Sequence, residues 1–150
     1  MGFTSKPQRY VIAIIISSYL SLLSISIQAE QLIKADGYNI HYNAFNSSML
    51  DPEVVNKYGI ERSKSIGVLT LSVLEKNDKA VSAFIVGNSK NAIFQLTTLD
   101  FKEVTEGQSI YYIATFNFAD KEQLNFDITV VPKGVTHKIK LNFQQQFFVE

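Results

Sequence analysis

An alternation of apolar and polar residues with a period of two runs through most of the chain from Tyr38 to Val149. The segment 124–130 shows it clearly, because four apolar residues alternate there with Asn125, Asp127 and Thr129. Successive side chains of a β-strand point to opposite faces of its sheet, so this pattern predicts strands with one buried face. Such strands must pair and the resulting sheets must stack, which excludes a helical bundle.

The alternating segments and their short connections predict an all-β fold, an antiparallel immunoglobulin-like β-sandwich of about seven strands. The turn at Asn77–Asp78 predicts a hairpin between two of these strands, and Gly87–Asn91 predicts a break in the chain. The Cys and Trp residues that mark immunoglobulin domains are missing, so the prediction concerns the architecture alone. The predicted strands are 38–45, 67–74, 80–86, 94–104 (one strand or a pair), 109–118, 124–130 and 139–149.

One segment, 51–59, has the chemistry of a short helix. Asp51 is suited to cap the free backbone N–H groups, Pro52 to the first helical position and Gly59 to a left-handed exit. Val54 and Tyr58 lie four residues apart and would share the face turned toward the sandwich. The sequence therefore predicts a two-turn helix in a loop that crosses between the two sheets.

The first 29 residues have the features of a secretory signal peptide. Lys6 and Arg9 form a short positive region, an apolar run covers 11–23, and no acidic residue occurs before Glu30. Small and polar residues follow the apolar run, which predicts cleavage after Ala29. The expected domains are a signal peptide at 1–29 and a single β-sandwich domain at 30–150.

A membrane anchor that is not cleaved is the alternative for this leader. Five serines interrupt the stretch from Tyr10 to Ile27. It therefore falls short of the ~20 mostly apolar residues that span a bilayer comfortably. Because positive charges stay on the cytoplasmic side, either outcome places the rest of the chain outside the cytoplasm. Periplasmic localisation is expected, with membrane contact only where the leader is retained.

The composition excludes several classes of function. The chain has 14 basic and 14 acidic side chains, and removing Lys6 and Arg9 with the leader leaves 12 basic against 14 acidic, a net charge of −2. No strongly basic surface is available for a nucleic acid. The absence of cysteine excludes disulfides, thiolate metal sites and a cysteine nucleophile.

Six short motifs of the chain are His41–Ser47, Pro52–Val54, Tyr58–Ile60, Arg62–Lys64, Ile110–Phe116 and Phe143–Phe147. Together they resemble the domain of unknown function 4426 family of proteobacteria, and the resemblance extends over essentially the whole chain after the leader. It implies a small exported domain of Gram-negative bacteria, usually made with a signal peptide. It implies no catalytic residue, because members of the family have no established activity.

Candidate catalytic and metal-binding groups do not form a recognised set in the sequence. The segment Gly87–Asn91 lacks the second glycine of a nucleophile elbow. His41 and His137 are the two histidines, and neither has another histidine at ligand spacing. The acidic residues within 100–106 lie near a turn and are typical of a solvated edge. The sequence therefore predicts no catalytic residue, no cofactor and no metal.

A polar patch is the first candidate binding site. His41 and Asn43 lie on the polar face of the first predicted strand, while Tyr58, Arg62 and Ser63 close the helical loop. If the loop folds back on that face, these five residues form a small polar patch for a partner or ligand. The alternative is structural: Arg62 hydrogen-bonds loop carbonyls and holds the loop in place.

The last predicted strand is the second candidate. Its residues Asn142, Gln144 and Gln146 form a neutral amide row opposite Phe143 and Phe147. An edge strand with such a face is suited to accept a strand from another chain. An ordinary strand with one solvent face would show the same pattern.

The leading functional hypothesis is a non-enzymatic periplasmic protein that binds another envelope protein through its loops or a sheet edge. One alternative is a binder of a small molecule or a cell-wall fragment, with a pocket between the sheets. Another is a hydrolase with an unrecognised site. No nucleic-acid partner is expected from the charge balance, and the sequence leaves the oligomeric state open.

Overall fold

The structure is a computed structural model that describes residues 31–149, and it consists of two packed antiparallel β-sheets. The first sheet has the strand order β1-β2-β3-β7-β6 and the second has the order β5-β4-β8-β9. The predicted all-β sandwich with one short helix is confirmed. The predicted leader and its cleavage site lie outside the described residues. The strands are β1 (Gln31–Ala35), β2 (Tyr38–Asn46), β3 (Ile66–Glu75), β4 (Ala83–Lys90), β5 (Leu96–Leu99), β6 (Lys102–Glu106), β7 (Ser109–Asn117), β8 (Glu122–Pro132) and β9 (Ile139–Phe147).

The described chain has nine strands where the sequence predicts about seven. The sequence pattern misses β1 because its five residues do not alternate clearly, and none of them is fully buried. The predicted strand 94–104 is the pair β5 and β6. Between them, at Asp100 and Phe101, the chain leaves the second sheet and joins the first.

The predicted hairpin around Asn77–Asp78 is wrong beyond its turn. The turn itself forms, with the Val81 N–H donating to the Val73 carbonyl at 2.9 Å and a bridge between Leu74 and Ala80. After Val81 the chain leaves the first sheet, and β4 pairs with β5 and β8 of the second. Alternation shows that a strand has a buried face, but it does not show which sheet contains the strand.

The predicted break at Gly87–Asn91 is also wrong, because Gly87–Lys90 continue β4 and pair on both sides. A glycine is needed at position 87 because β8 packs so closely that no room is left for a Cβ atom. A Cβ built there would lie 2.4 Å from Cδ1 of Ile128 and 2.8 Å from the carbonyl oxygen of Asp127. A glycine inside a strand often marks such a close approach rather than a turn.

The space between the sheets is filled by apolar side chains, among them a cluster of phenylalanines from β7, β8 and β9. The rings of Phe126 and Phe143 stack with centroids 4.5 Å apart, and Phe116 meets Phe126 edge-on at 5.1 Å. Tyr112 adds a polar link across this core: its hydroxyl accepts from the Ala83 N–H of β4 and donates to the Glu103 carboxylate of β6, both at 2.6 Å.

The predicted helix is confirmed as α1 (Pro52–Tyr58). The Asp51 carboxylate accepts from the Glu53 N–H at 2.8 Å, and Gly59 has the left-handed φ of 63°. The loop does not cross between the sheets as predicted, because it joins β2 to β3, which are neighbours in the first sheet. It covers part of that sheet's outer face instead. Val68 points away from the core, opposite to Leu69, and yet it is completely buried.

Four chain segments meet at one end of the sandwich, called the loop end below. Antiparallel pairing brings the ends of β2, β4, β7 and β9 together with the starts of β3, β5 and β8. Cross-sheet hydrogen bonds confirm the placement, since the Asn46 side chain donates to the Phe148 carbonyl at 2.9 Å. Within residues 31–149, no helix has the length and apolar character needed to cross a membrane. The segments of the loop end are 47–65, 91–95, 118–121 and 148–149.

Candidate functional site

Tyr58 lies in a groove on the outer face of the first sheet, between the α1 loop and strands β6 and β7. The groove, called the helix groove below, has a volume of about 600 Å³. Its walls carry both charge signs, with Lys102 on β6 and Glu61 in the loop, and its floor includes Ile113 of β7. The arrangement is a shallow, mixed surface outside the sandwich.

An ion pair closes one side of the helix groove. The Lys57 ammonium lies 2.6 Å from the Glu106 carboxylate, and the Tyr58 hydroxyl donates to the same carboxylate oxygen. Hydrogen bonds from Lys57 and Tyr58 hold the pKa of Glu106 below its usual range, and the bond to Glu106 raises the pKa of Lys57. Both charges are solvent-exposed, so they position α1 over the strands more than they stabilise the fold.

His41 lines a second groove, near the opposite end of the first sheet. In the sheet it lies opposite Ser72 on β3, and this groove also includes Tyr111 of β7 and the turn residue Asp78. Its volume is about 790 Å³. Asn43 lies two residues further along the same face of β2, opposite Thr70. The residues that line the two grooves are different.

Arg62 and Ser63 make hydrogen bonds within the loop itself. The Arg62 Nε donates to the Ser48 carbonyl at 2.9 Å. The fully buried Ser47 hydroxyl accepts from the Ser63 N–H at 2.9 Å and donates to the Ser63 carbonyl at 3.1 Å. These contacts match the structural alternative for Arg62. The contacts of Arg62 and Ser63 tie the two ends of the loop together. His41 and Tyr58 line two separate grooves, so the structure does not bring all five residues of the predicted patch to one place. The role of the patch as a binding site stays a prediction.

The second histidine and the serine of the incomplete elbow are placed apart from both grooves. His137 Nε2 lies 3.6 Å from the Asp36 carboxylate, and both side chains are exposed. Ser89 is buried in β4. Among residues 31–149, no group of three or more histidine, cysteine or acidic side chains is arranged to hold a metal ion.

The amide row of the last strand lies on a sheet edge. β9 is the outermost strand of the second sheet, and β8 is its one partner among the described strands. Its residues Asn142, Gln144 and Gln146 are exposed, while Phe147 is buried. The structure therefore shows that the strand with the amide row is an edge strand, which the sequence pattern alone did not decide.

The backbone direction of β9 follows from the hydrogen-bond alternation of antiparallel strands. The Lys133 N–H donates to the Ser82 carbonyl, which makes odd-numbered residues of β8 face β4 and even-numbered ones face β9. In the β8–β9 register, Leu141, Phe143 and Gln145 are then bonded to β8. The N–H and C=O groups of Lys140, Asn142, Gln144 and Gln146 therefore point away from β8, toward the open edge.

The first sheet ends near β9 without pairing with it. β1 reaches Tyr42 of β2, so Asn43–Asn46 have no strand beside them on that side among the described residues. The Gln145 side chain donates to the Ala44 carbonyl there at 2.7 Å. This bond links the two sheets at their margin through a side chain, and the backbone of β9 keeps its open edge.

The exposed apolar residues of the loop end are the feature that sequence reasoning missed. Phe94 was assigned to a predicted strand, but it lies in the β4–β5 loop with 77% of its surface exposed and a positive φ of 63°. Ile93 beside it is 73% exposed. The residues Asn91 and Gln95 around them are polar and typical of a turn, which was the available signal.

Several solved structures are similar to this chain. A DUF4426 family protein from Pseudomonas aeruginosa has 34% sequence identity and a TM-score of 0.74, with 83% of this chain and 98% of that one covered. FetP from uropathogenic Escherichia coli, expressed recombinantly in the E. coli periplasm, has 8% identity and a TM-score of 0.57, with 80% and 94% covered. A copper-bound variant of the same FetP has 6% identity and a TM-score of 0.56, with 81% and 92% covered.

At such low identity, the likeness to FetP shows the fold alone. The comparison with curated proteins finds no match. The sequence model of DUF4426, described as a domain of unknown function, matches residues 32–150. Together with the relative from P. aeruginosa, this match confirms the family that the sequence motifs indicate. The chain belongs to the DUF4426 family.

Proposed function

We propose that this protein is an exported, non-enzymatic periplasmic protein that binds an extended segment of another envelope protein along β9. The observation that carries the proposal is the open edge of β9, whose outward backbone groups belong to Lys140, Asn142, Gln144 and Gln146. An extended peptide satisfies such groups by adding a strand to the sheet, and its side chains give specificity.

The edge lacks most of the features that prevent strand addition. Natural edge strands are often short, bulged or interrupted by proline, or they carry several charges. β9 has nine residues in continuous register with β8, contains no proline, and has Lys140 as its one charged residue. Its outward row of amides favours a partner strand with polar, uncharged side chains on the same face.

Export and periplasmic localisation are supported by the charged and apolar pattern of residues 1–29. The proposal predicts that protein isolated from the periplasm begins at Glu30. Intact-mass measurement of the periplasmic fraction tests this directly. Protein confined to the cytoplasm would contradict the proposed location, whereas a mass that includes the leader would contradict cleavage after Ala29 and indicate a retained membrane anchor.

The helix groove favours a second candidate, a small molecule or cell-wall fragment bound on the outer face of the first sheet. Its volume of about 600 Å³ lies in the range typical of ligand sites. A thermal-shift screen with amino sugars and short peptides tests this candidate, because a ligand that binds the folded state raises the melting temperature. Glu61→Gln supplies the groove variant, and loss of a shift in that variant would assign it to the helix groove.

The copper of the FetP variant is not part of the proposal. The described residues contain no group of three or more histidine, cysteine or acidic side chains arranged to hold a metal ion. A neighbour at 6% identity transfers its fold and not its ligands.

Site-specific photocrosslinking in the cells that make the protein tests strand addition. A photoreactive residue at Gln144 is expected to give a discrete covalent adduct with one envelope protein, and the same residue at the exposed turn position Lys133 is expected to give none. Asn142→Pro removes an outward N–H without removing a bond to β8 and is expected to abolish the adduct. Asn142→Ala, which keeps that N–H, is the matched control.

An adduct that survives Asn142→Pro would show that the partner does not use the backbone edge. An adduct at Lys133 but not at Gln144 would move the binding surface away from β9. Far-ultraviolet circular dichroism of both Asn142 variants verifies that the sandwich still forms.

A further inference from the structure

Large exposed apolar side chains concentrate at the loop end of the sandwich. Among the described residues, ten large hydrophobic side chains are exposed; five of them lie in the segments of this end, and a sixth, Leu96, directly follows the segment 91–95. The three most prominent, Phe94, Ile93 and Met49, are 77%, 73% and 63% exposed. The other three are Leu96, Phe148 and Val149. A soluble surface rarely collects apolar residues in this way without a binding role.

The β4–β5 loop holds its apolar residues in a fixed outward position. The Asn91 side chain accepts from the Gln95 N–H at 2.9 Å and donates to the Glu122 carboxylate at 2.9 Å. The Phe94 N–H donates to the Asn91 carbonyl at 3.0 Å, while the Phe94 backbone has a positive φ that bulky residues rarely adopt. The loop therefore tolerates strain and presents Phe94 to solvent instead of folding it inward.

Most of the exposed apolar residues of the loop end lie outside the two grooves of the first sheet. Neither the helix groove nor the His41 groove includes Met49, Ile93, Phe94, Phe148 or Val149 among its walls. Separate apolar side chains on neighbouring loops fit poorly into a rigid complementary pocket. They are well suited to insertion among lipid chains, which rearrange around each side chain.

The charge next to Phe94 favours a lipid surface. Lys90 places its ammonium 5.3 Å from the centre of the Phe94 ring, so a cation lies beside the most exposed aromatic side chain. Lysines at a membrane interface bury the stem along apolar surface and hold the charge at the level of the lipid headgroups.

We infer that the loop end docks on a phospholipid bilayer, with Ile93 and Phe94 inserted at the interface. This inference is independent of strand addition at β9, which uses a different surface. It requires no particular outcome for the leader, because the apolar side chains belong to the folded sandwich. Docking would hold the protein at the membrane with β9 accessible along the side.

Tryptophan substitution tests the inference cleanly, because the chain contains no native tryptophan. Phe94→Trp places a fluorescent reporter at the loop end. Phe84→Trp is the matched control, since Phe84 is also exposed (67%) but lies on the outer face of β4. Each protein, as isolated from cells, is mixed with vesicles of phosphatidylethanolamine and phosphatidylglycerol. Any contribution of residues 1–29 is the same in both.

The expected result is a blue shift of the Phe94→Trp emission on adding vesicles and no shift for Phe84→Trp. Replacing Ile93 and Phe94 together, by Ile93→Ser and Phe94→Asn, is expected to lower vesicle partitioning at least tenfold. Asparagine tolerates positive φ, so this variant keeps the loop conformation, and its melting temperature verifies folding.

Four outcomes would overturn the inference. One is equal shifts for the two tryptophan variants, and another is no vesicle binding by the parent protein. The third is a Phe94→Trp blue shift that appears with protein concentration and without lipid, which would identify a second copy of the chain as the occupant. Binding to vesicles that the Ile93 and Phe94 substitutions leave unchanged would contradict it equally.

Discussion

Removing the Tyr112 hydroxyl is expected to destabilise the sandwich by about 2 kcal/mol, counting ~1 kcal/mol for each of its two hydrogen bonds. The side chain is 3% exposed, and its hydroxyl links Ala83 of β4 to Glu103 of β6. Tyr112→Phe keeps the ring in the core and leaves both partners without their bond. For a domain of this size, the melting temperature is expected to fall by roughly 8 °C.

Tyr111→Phe is the matched control, because Tyr111 is the neighbouring residue on the opposite face and is 40% exposed. Loss of the Tyr111 hydroxyl is expected to change the free energy of unfolding by less than ~0.5 kcal/mol. Urea unfolding followed by circular dichroism at neutral pH measures both variants. If Tyr112→Phe matches the parent, or if Tyr111→Phe is equally destabilising, the hydroxyl does not link the sheets as described.

The same hydroxyl predicts a pH dependence. Burial, helped by the neighbouring Glu103 carboxylate, raises the pKa of Tyr112 from 10.0 to about 12. Between these values the folded protein binds more protons than the unfolded chain, so the free energy of unfolding falls as pH rises. The contribution of the Tyr112 hydroxyl to the free energy of unfolding is complete below pH 10 and is lost as the pH rises toward 12. The slope of stability against pH in this window is expected to be shallower in Tyr112→Phe, and an unchanged slope would contradict the assignment.

Three further substitutions test the packing. Gly87→Ala is expected to cost about 1–3 kcal/mol by overpacking against β8. Ser47→Ala leaves the Ser63 N–H and carbonyl without their buried partner, which is expected to cost about 1–2 kcal/mol. Phe126→Ala opens the stacked core and is expected to cost about 3–5 kcal/mol, whereas Phe84→Ala at the surface stays within ~0.5 kcal/mol of the parent. Urea midpoints measure all four proteins.

For each of these substitutions, a specific result would contradict the expectation. A neutral Gly87→Ala would mean that this residue lies in a loop, as the sequence alone predicts. A neutral Ser47→Ala would show that the α1 loop is held by other contacts. Equal costs for the two phenylalanine variants would place the core elsewhere.

The parts of the fold that local chemistry determines were predictable. Asp51, Pro52 and Gly59 specify the ends of α1 with no help from the rest of the chain, and the helix has the predicted position. The alternation in β8 and β9 likewise shows a buried face directly. The sandwich follows from these patterns, because strands with one apolar face need a second sheet to cover it.

The parts that depend on distant contacts were not predictable. Gly87 resembles a turn residue until Ile128 is packed against it. β1 is recognisable as a strand through its pairing with β2 and not through its own sequence. The exposure of Phe94 contradicts the usual place of phenylalanine, and it follows from the hydrogen bonds of Asn91 with Gln95 and Glu122.

The candidate binding surfaces divide in the same way. The amide row of β9 was visible in the sequence, but its edge position depends on strand order. The polar patch depends on the pairing of β2 with β3, which the sequence could not show. This pairing brings Ser47 and Ser63 together. It leaves Tyr58 and His41 in separate grooves.

The Ser47–Ser63 contact has a consequence for the motions of the loop. No residue of α1 is fully buried, yet the two strands that flank its loop are fixed at Ser47 and Ser63 by one hydroxyl. Local opening of the helix therefore leaves the junction with the sheet intact. In hydrogen-exchange measurements, the amides of 54–58 would exchange as one fast unit, while the Ser63 amide would exchange slowly, with the strands.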